Sequence, residues 1–188
     1  MRKFLWLVFI SFLLGGCETV PTDTAANRQS SKHDRRPAQV IETDKAIEQT
    51  ALEEFHEDAD LLNQIHVHIN AYNGLALLTG EVTSPELKNK ILDRVRVIPH
   101  VKMVRDSLTL GALSSSANDA KFTAQIKAAL KQIHTLPDFN ASMIKVVTEN
   151  NVVYLLGLVS KEEGNVVVNV VRLQPDVQQI VTVFEYIN

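Results

Sequence analysis

The 188-residue sequence has a single cysteine, Cys17, so no disulfide can form within the chain. Beyond the N-terminus it has no run of about twenty apolar residues, and no later segment reads as a membrane-spanning helix. Positive charge is not in excess: the formal net charge is −3, which leaves no overall footprint for nucleic acid, so any anion binding has to be local. None of the 7 glycines opens a helix after a strand at phosphate-loop spacing, and no nucleophile elbow or catalytic triad signature occurs. No enzyme is therefore expected, and no cofactor.

What is present is a repeat. Val67 to Val82 reads as a β-hairpin, and Ile144 to Val159 repeats it at an offset of 77, pairing Val67 with Ile144, Asn73 with Asn150, Gly80 with Gly157 and Val82 with Val159. Each copy turns on asparagine, Asn73-Gly74 or Asn150-Asn151, residues that tolerate the positive φ of a tight hairpin. Each repeat spans about 70 residues, near the lower limit for one core without disulfide or metal, so two small domains packed together are expected.

The ends differ from the repeat. Arg2 and Lys3 precede the apolar run Phe4 to Leu14, which is too short to span a bilayer and reads as a secretory signal over residues 1–16. It ends Leu14-Gly15-Gly16-Cys17, which resembles the lipobox of bacterial lipoproteins; that resemblance makes Cys17 the lipidation site, and Glu18 after it implies sorting to the outer membrane. Removing the signal leaves 17 basic residues against 22 acidic. Residues 17–39 hold few apolar side chains and read as an acylated, disordered tether, with Lys32 to Arg36 as a solvated basic run able to touch anionic headgroups.

Residues 40–111 and 118–188, joined by a linker at 112–117, then each read as helix, strand, strand, helix, strand. Thr43 is the expected N-cap of the first helix, with Ile47, Ala51 and Phe55 as its buried stripe and Glu42, Asp44, Glu48 and Asp58 among the acids of its exposed faces. Thr83 to Glu86 and Ser160 to Glu163 read as capping boxes at the same offset, and Pro99 and Pro175 end the helices that follow. Asn165 to Val171, rich in valine, favours a strand by propensity alone; the repeat overrules this and predicts a helix.

The hairpins ending Gly80-Glu81-Val82 and Gly157-Leu158-Val159, and the stretches Ile69-Asn70-Ala71-Tyr72-Asn73-Gly74 and Thr148-Glu149-Asn150, resemble BON domains. With the lipobox, the whole chain resembles the dual-BON outer-membrane lipoproteins. The resemblance implies an α+β fold: two tandem BON domains, each a three-stranded mixed sheet packed against two helices, behind a lipoprotein signal and flexible tether. It further implies a non-enzymatic role in envelope integrity, lipid-anchored at the outer membrane facing the periplasm, with the second domain contacting anionic phospholipid. Asn151 departs from the family's usual turn glycine, and the late helix of the second repeat is valine-rich where the family's is alanine-rich.

Charge places the lipid contact. Residues 40–111 carry 12 acidic and 7 basic side chains, whereas 116–188 carry 7 and 6, with no acid between Asp119 and Asp138. The expected phospholipid-binding residues are Lys121, Phe122, Lys127, Lys131 and His134. His66 and His68 alternate on one strand face, and a His-x-His pair can begin a metal site; with no Cys, Asp or Glu at ligand spacing, an exposed polar strand is preferred and no metal is expected. Two other readings stand beside lipid binding: a periplasmic scaffold for envelope proteins or the cell wall, using the sheet or the acidic first helix, and a haemolysin or pore former, which the lack of long apolar spans disfavours.

Overall fold

A computed structural model describes residues 34–59, 61, 63–113 and 118–188. The expected signal, Cys17, the tether up to residue 33 and linker residues 114–117 lie outside the described residues. The first domain runs α1 (Ala38–Glu57), β1 (Ile65–Tyr72), β2 (Leu75–Val82), α2 (Pro85–Val97) and β3 (Met103–Leu110). The second runs α3 (Asp119–Leu130), a 3-10 turn (Ala141–Met143), β4 (Ile144–Glu149), β5 (Val152–Val159), α4 (Lys161–Arg172) and β6 (Gln179–Tyr186). Each sheet is mixed: β2 pairs antiparallel with β1 and parallel with β3, and β5 does the same between β4 and β6. Only a parallel pair needs a crossover, which explains why α2 and α4 sit where they do in the chain. The fold is α+β, as expected.

Both hairpins close on residues with positive φ at the two central positions, Asn73 (52°) with Gly74 (81°) and Asn150 (48°) with Asn151 (62°), so Asn151 does the work of the usual glycine. The repeat extends to the residues after the prolines, His100 and Asp176, both left-handed at φ 70° and 69°. The valine-rich segment is helical. Ser160 and Glu163 form a full capping box at its start, and Val167 and Val171, one turn apart, are wholly buried. Two such burials contribute roughly 1.5–3 kcal/mol each, enough to offset a helix-propensity cost of up to ~0.7 kcal/mol per valine.

Period-two alternation sorts each strand between two cores. Ile69, Ala71, Ala76, Leu78 and Val82 meet Ile47, Ala51 and Phe55 of α1 and Ile91, Leu92 and Val95 of α2. Ile144, Val146, Val153, Leu155 and Val159 meet α3 and α4 in the same way. The other sheet faces meet each other: Tyr72 and Leu77 pack with Tyr154 and Leu156, flanked by Leu75, Val147, Val152, Leu158, Val181 and Val183. This is why Ala76 to Val82 are all buried. The Tyr72 hydroxyl accepts from Leu158 N (3.1 Å) and donates to Met143 O (3.3 Å), while Asn73 Nδ2 donates to Glu185 Oε2 (2.7 Å) and Asn150 Nδ2 to Glu81 Oε1 (2.5 Å). Each hairpin turn thus reaches across to the opposite domain.

Several local expectations are corrected. α1 begins at Ala38 behind Pro37, and Thr43 sits inside it, its hydroxyl donating to Gln39 O at 2.9 Å. The cap of α2 is Ser84, which accepts from Leu87 N with Pro85 in the first turn; Thr83 is not the cap. Asp44 is buried at 3% exposure: its carboxylate accepts the turn N–H groups of Asn73 (2.7 Å) and Gly74 (2.8 Å) and the Arg36 guanidinium (2.7 Å). Arg35 and Arg36 are not a solvated run. Arg36 lies 3.7 Å over the Tyr72 ring, and Arg35 forks onto Glu163 through two 2.7 Å hydrogen bonds and onto Leu158 O at 2.9 Å.

The Arg35 fork holds the Glu163 carboxyl below its ordinary value, against the opposing effect of burial. A depressed carboxylate pKa contributes stability that is complete above the unfolded value, about 4.3, and is lost as pH falls through the folded value. Arg35→Ala is therefore expected to lower stability at neutral pH and to flatten its decline on acidification below about pH 4.3, as read from urea melts across that range. An unchanged acid slope would show that the fork does not set it.

Candidate functional site

The acid-free segment expected to meet lipid is α3 after its first residue, Asp119, and the turn that follows. Lys121, Lys127 and Lys131 are exposed, and none of the three forms an ion pair among the described residues. Phe122 is 6% exposed and belongs to the core beside Ile126 and Leu130; its ring orients the helix from within. The helix stops at Leu130, with Lys131 as its C-cap donating its N–H to Lys127 O at 3.2 Å, so His134 stands in the following loop, exposed, outside the helical stripe expected for it. A dent of about 340 Å³, lined largely by apolar side chains of the α3 end and α4 such as Ile133, Val166 and Val170, has His134 among its lining. A second, of about 400 Å³, places Lys121 and Gln125 beside Asp176.

Three basic residues of the first domain are differently engaged. Lys88 pairs with Asp106 at 2.9 Å, and Lys90 and Arg94 both reach Asp58, at 2.7 and 2.5 Å. Their charges are neutralised locally, whereas those on α3 face solvent.

A polar cluster lies at one end of the seam between the domains. His66 Nδ1 is 3.0 Å from Glu81 Oε2, His68 Nε2 is 3.9 Å from Glu149 Oε2, and the two imidazoles meet edge to face at 4.8 Å. Glu149 is 5% exposed; its Oε2 accepts from Thr79 Oγ1 at 3.4 Å, while its Oε1 is buried with no partner among the described residues. Burial, reinforced by Asp119, pushes the Glu149 carboxyl up, and burial followed by repulsion from His66 pulls His68 down. The second sheet thus covers part of what the sequence suggests is an open strand face. Spacing within β1 gave no third group because Glu149 comes from the other domain. One signal was legible, since aligning the repeats sets Glu149 against Tyr72 and so puts a carboxylate at a position buried in the other copy.

The BON domain family model matches residues 43–112 and 118–188, and the chain belongs to the BON-domain family. In its pairing of two such domains it is of the type of the outer membrane lipoprotein DolP of Haemophilus influenzae, to which it is 24% identical over 191 residues, covering 100% of this chain and 97% of that protein. It is also similar to a protein named 21 kDa hemolysin of Actinobacillus pleuropneumoniae, 27% identical over 158 residues, 82% of this chain and 79% of the relative. Among solved structures, the C-terminal domain of CdsD, a structural protein of the type III secretion system of Chlamydia trachomatis, aligns at a TM-score of 0.28 and 13% identity over 73% of this chain and 97% of that one, a likeness too slight to bear on function. By its kinship the chain is placed at the outer membrane, lipid-anchored and facing the periplasm. No helix among the described residues is long and apolar enough to cross a membrane.

Proposed function

We propose that the chain is a non-enzymatic lipoprotein that supports envelope integrity by binding anionic phospholipid through its second domain. The supporting observation is the contrast between Lys121, Lys127 and the C-cap Lys131 of α3, unpaired among the described residues, and the neutralised Lys88, Lys90 and Arg94 of the first domain. Phe122 stays packed, and the lysines approach headgroups with His134 at the rim of an apolar dent. Each lysine near an anionic surface contributes about 1 kcal/mol, so three give weak, salt-sensitive binding that becomes effective once an anchor raises the local concentration. A scaffold reading that uses the sheet faces loses its surface, because those faces are spent on each other.

Flotation with phosphatidylglycerol liposomes, against phosphatidylcholine, tests this. Lys127→Glu with Lys131→Glu should abolish flotation with an unchanged melting temperature, while reversal at Lys88 and Lys90 leaves it intact. Undiminished flotation of the first double variant would put the lipid contact elsewhere. The anchor in this reading is acylated Cys17, whose acyl chains each add roughly 0.8 kcal/mol per buried methylene. Cys17→Ala should leave the protein soluble in the periplasm or as unprocessed precursor; recovery of the variant, processed, in outer-membrane fractions would refute an anchor at that residue.

A further inference from the structure

The two ends of the interdomain seam are related by the repeat, and they have been filled in opposite ways. At one end Tyr72 inserts its ring and bonds Met143 O and Leu158 N, and Lys145 pairs with Glu48 beside it. At the offset of 77, Tyr72 becomes Glu149, Met143 becomes His66 and Lys145 becomes His68. The plugged end thus corresponds to an end with a cavity of about 570 Å³, lined by His66, His68 and Glu149 together with Asp119, Thr123 and Thr148. We propose that His66, His68 and Glu149 form a binding site for one divalent transition-metal ion, with zinc fitting the donor set best, held between the two domains.

The donors meet the chemical requirements. A ring nitrogen of each histidine and a carboxylate oxygen of Glu149 lie within 4.8 Å of one another. Tetrahedral zinc with bonds of about 2.0–2.1 Å separates its ligand atoms by about 3.4 Å, so a side-chain adjustment of about an ångström closes the set. His68, with its side chain 55% exposed, has room to make it. Two histidines and one carboxylate suit zinc, and a fourth position is left to water or to the neighbouring Asp119, whose Oδ1 is buried without a partner among the described residues. The surroundings resemble a built site. Glu81, 5% exposed, holds the Nδ1 side of His66 and leaves the Nε2 lone pair for a cation, the carboxylate–histidine–metal relay that fixes tautomer and raises basicity. Glu149 Oε1 is a buried carboxylate oxygen that no group among the described residues satisfies, and a cation is the partner that removes its cost. Because β1 supplies the histidines and β4 the carboxylate, the ion ties one domain to the other.

The probe is Zn²⁺, titrated into the full mature chain in detergent against a fluorescent chelator, with Cys17 common to every variant. One ion per chain is expected. Glu149→Gln and His66→Gln should each weaken affinity about tenfold or more, by analogy with the loss of metal-supporting groups. His68→Gln, at a half-exposed position outside the cores, should do the same and is the variant least able to disturb the fold. Zn²⁺ should raise the melting temperature of the parent chain and not of the variants, and His68→Gln should melt together with the parent in excess chelator. Co²⁺ should give the visible absorption of a tetrahedral site, lost in His68→Gln. Absence of saturable uptake, or equal affinity in the parent and His68→Gln, would overturn the site.

Discussion

Alanine at Gly80 should destabilise the protein by roughly 3 kcal/mol or more, a fall of about 6–12 °C in melting temperature, whereas alanine at the equivalent Gly157 should cost only about 1 kcal/mol. Gly80 has φ +110°, where L side chains are rarely found, and a Cβ there would lie 1.9 Å from the backbone oxygen of His66. That atom is fixed by the ladder, because Gly80 pairs with Val67 on one side and Leu108 on the other. Gly157 has no such conformation. Its added Cβ would meet Ile144 Cδ1 at 2.9 Å, the movable end of a side chain, and Met143 O at 3.1 Å. Thermal and urea melts of the two single variants measure the difference directly; equal losses would mean that the backbone approach at Gly80 relaxes at little cost.

The second large effect should come from Tyr72. Truncation to alanine empties a site 2% exposed in the seam and removes the ring beneath Arg36, for a loss of about 3–5 kcal/mol by comparison with other buried aromatics. Tyr72→Phe keeps the packing and strips the hydroxyl, leaving Leu158 N and Met143 O without it; about 1–2 kcal/mol is expected. The pair separates packing from hydrogen bonding. Domain opening should follow in the alanine variant only, read as faster proteolysis and a larger radius in small-angle scattering. An alanine variant that melts and scatters like the parent would show that the seam does not depend on this residue.

The repeat carried most of the fold. The duplication made the asparagine turns, the proline stops and even the valine-rich helix legible, because one copy's clear pattern could be read onto the other's ambiguous one. What the sequence could not show was how the two copies meet. β2 reads only as a hairpin strand; its second face is buried because Tyr154 and Leu156 lie against it. The same gap hid Glu149 from the two histidines and hid the binding of Arg35 by Glu163, a partner 128 residues away. Local rules also failed at α1, where Thr43 has the chemistry of a cap but Pro37 precedes a whole further turn. The lysines of α3 were legible as an acid-free interval, and their lack of ion-pair partners among the described residues is visible only in three dimensions.

Arg35 and Arg36 are neighbours in the chain that hold different domains, the first through Glu163 and the second through Asp44 and Tyr72. In mechanical terms this is a yoke. A pull arriving through Asp34 divides between the two bodies and loads their common seam, instead of peeling α1 away from its first turn. Tension from the membrane side would therefore be resisted by the docked pair as a unit, and the weakest link under load would be two guanidinium contacts, not a helix.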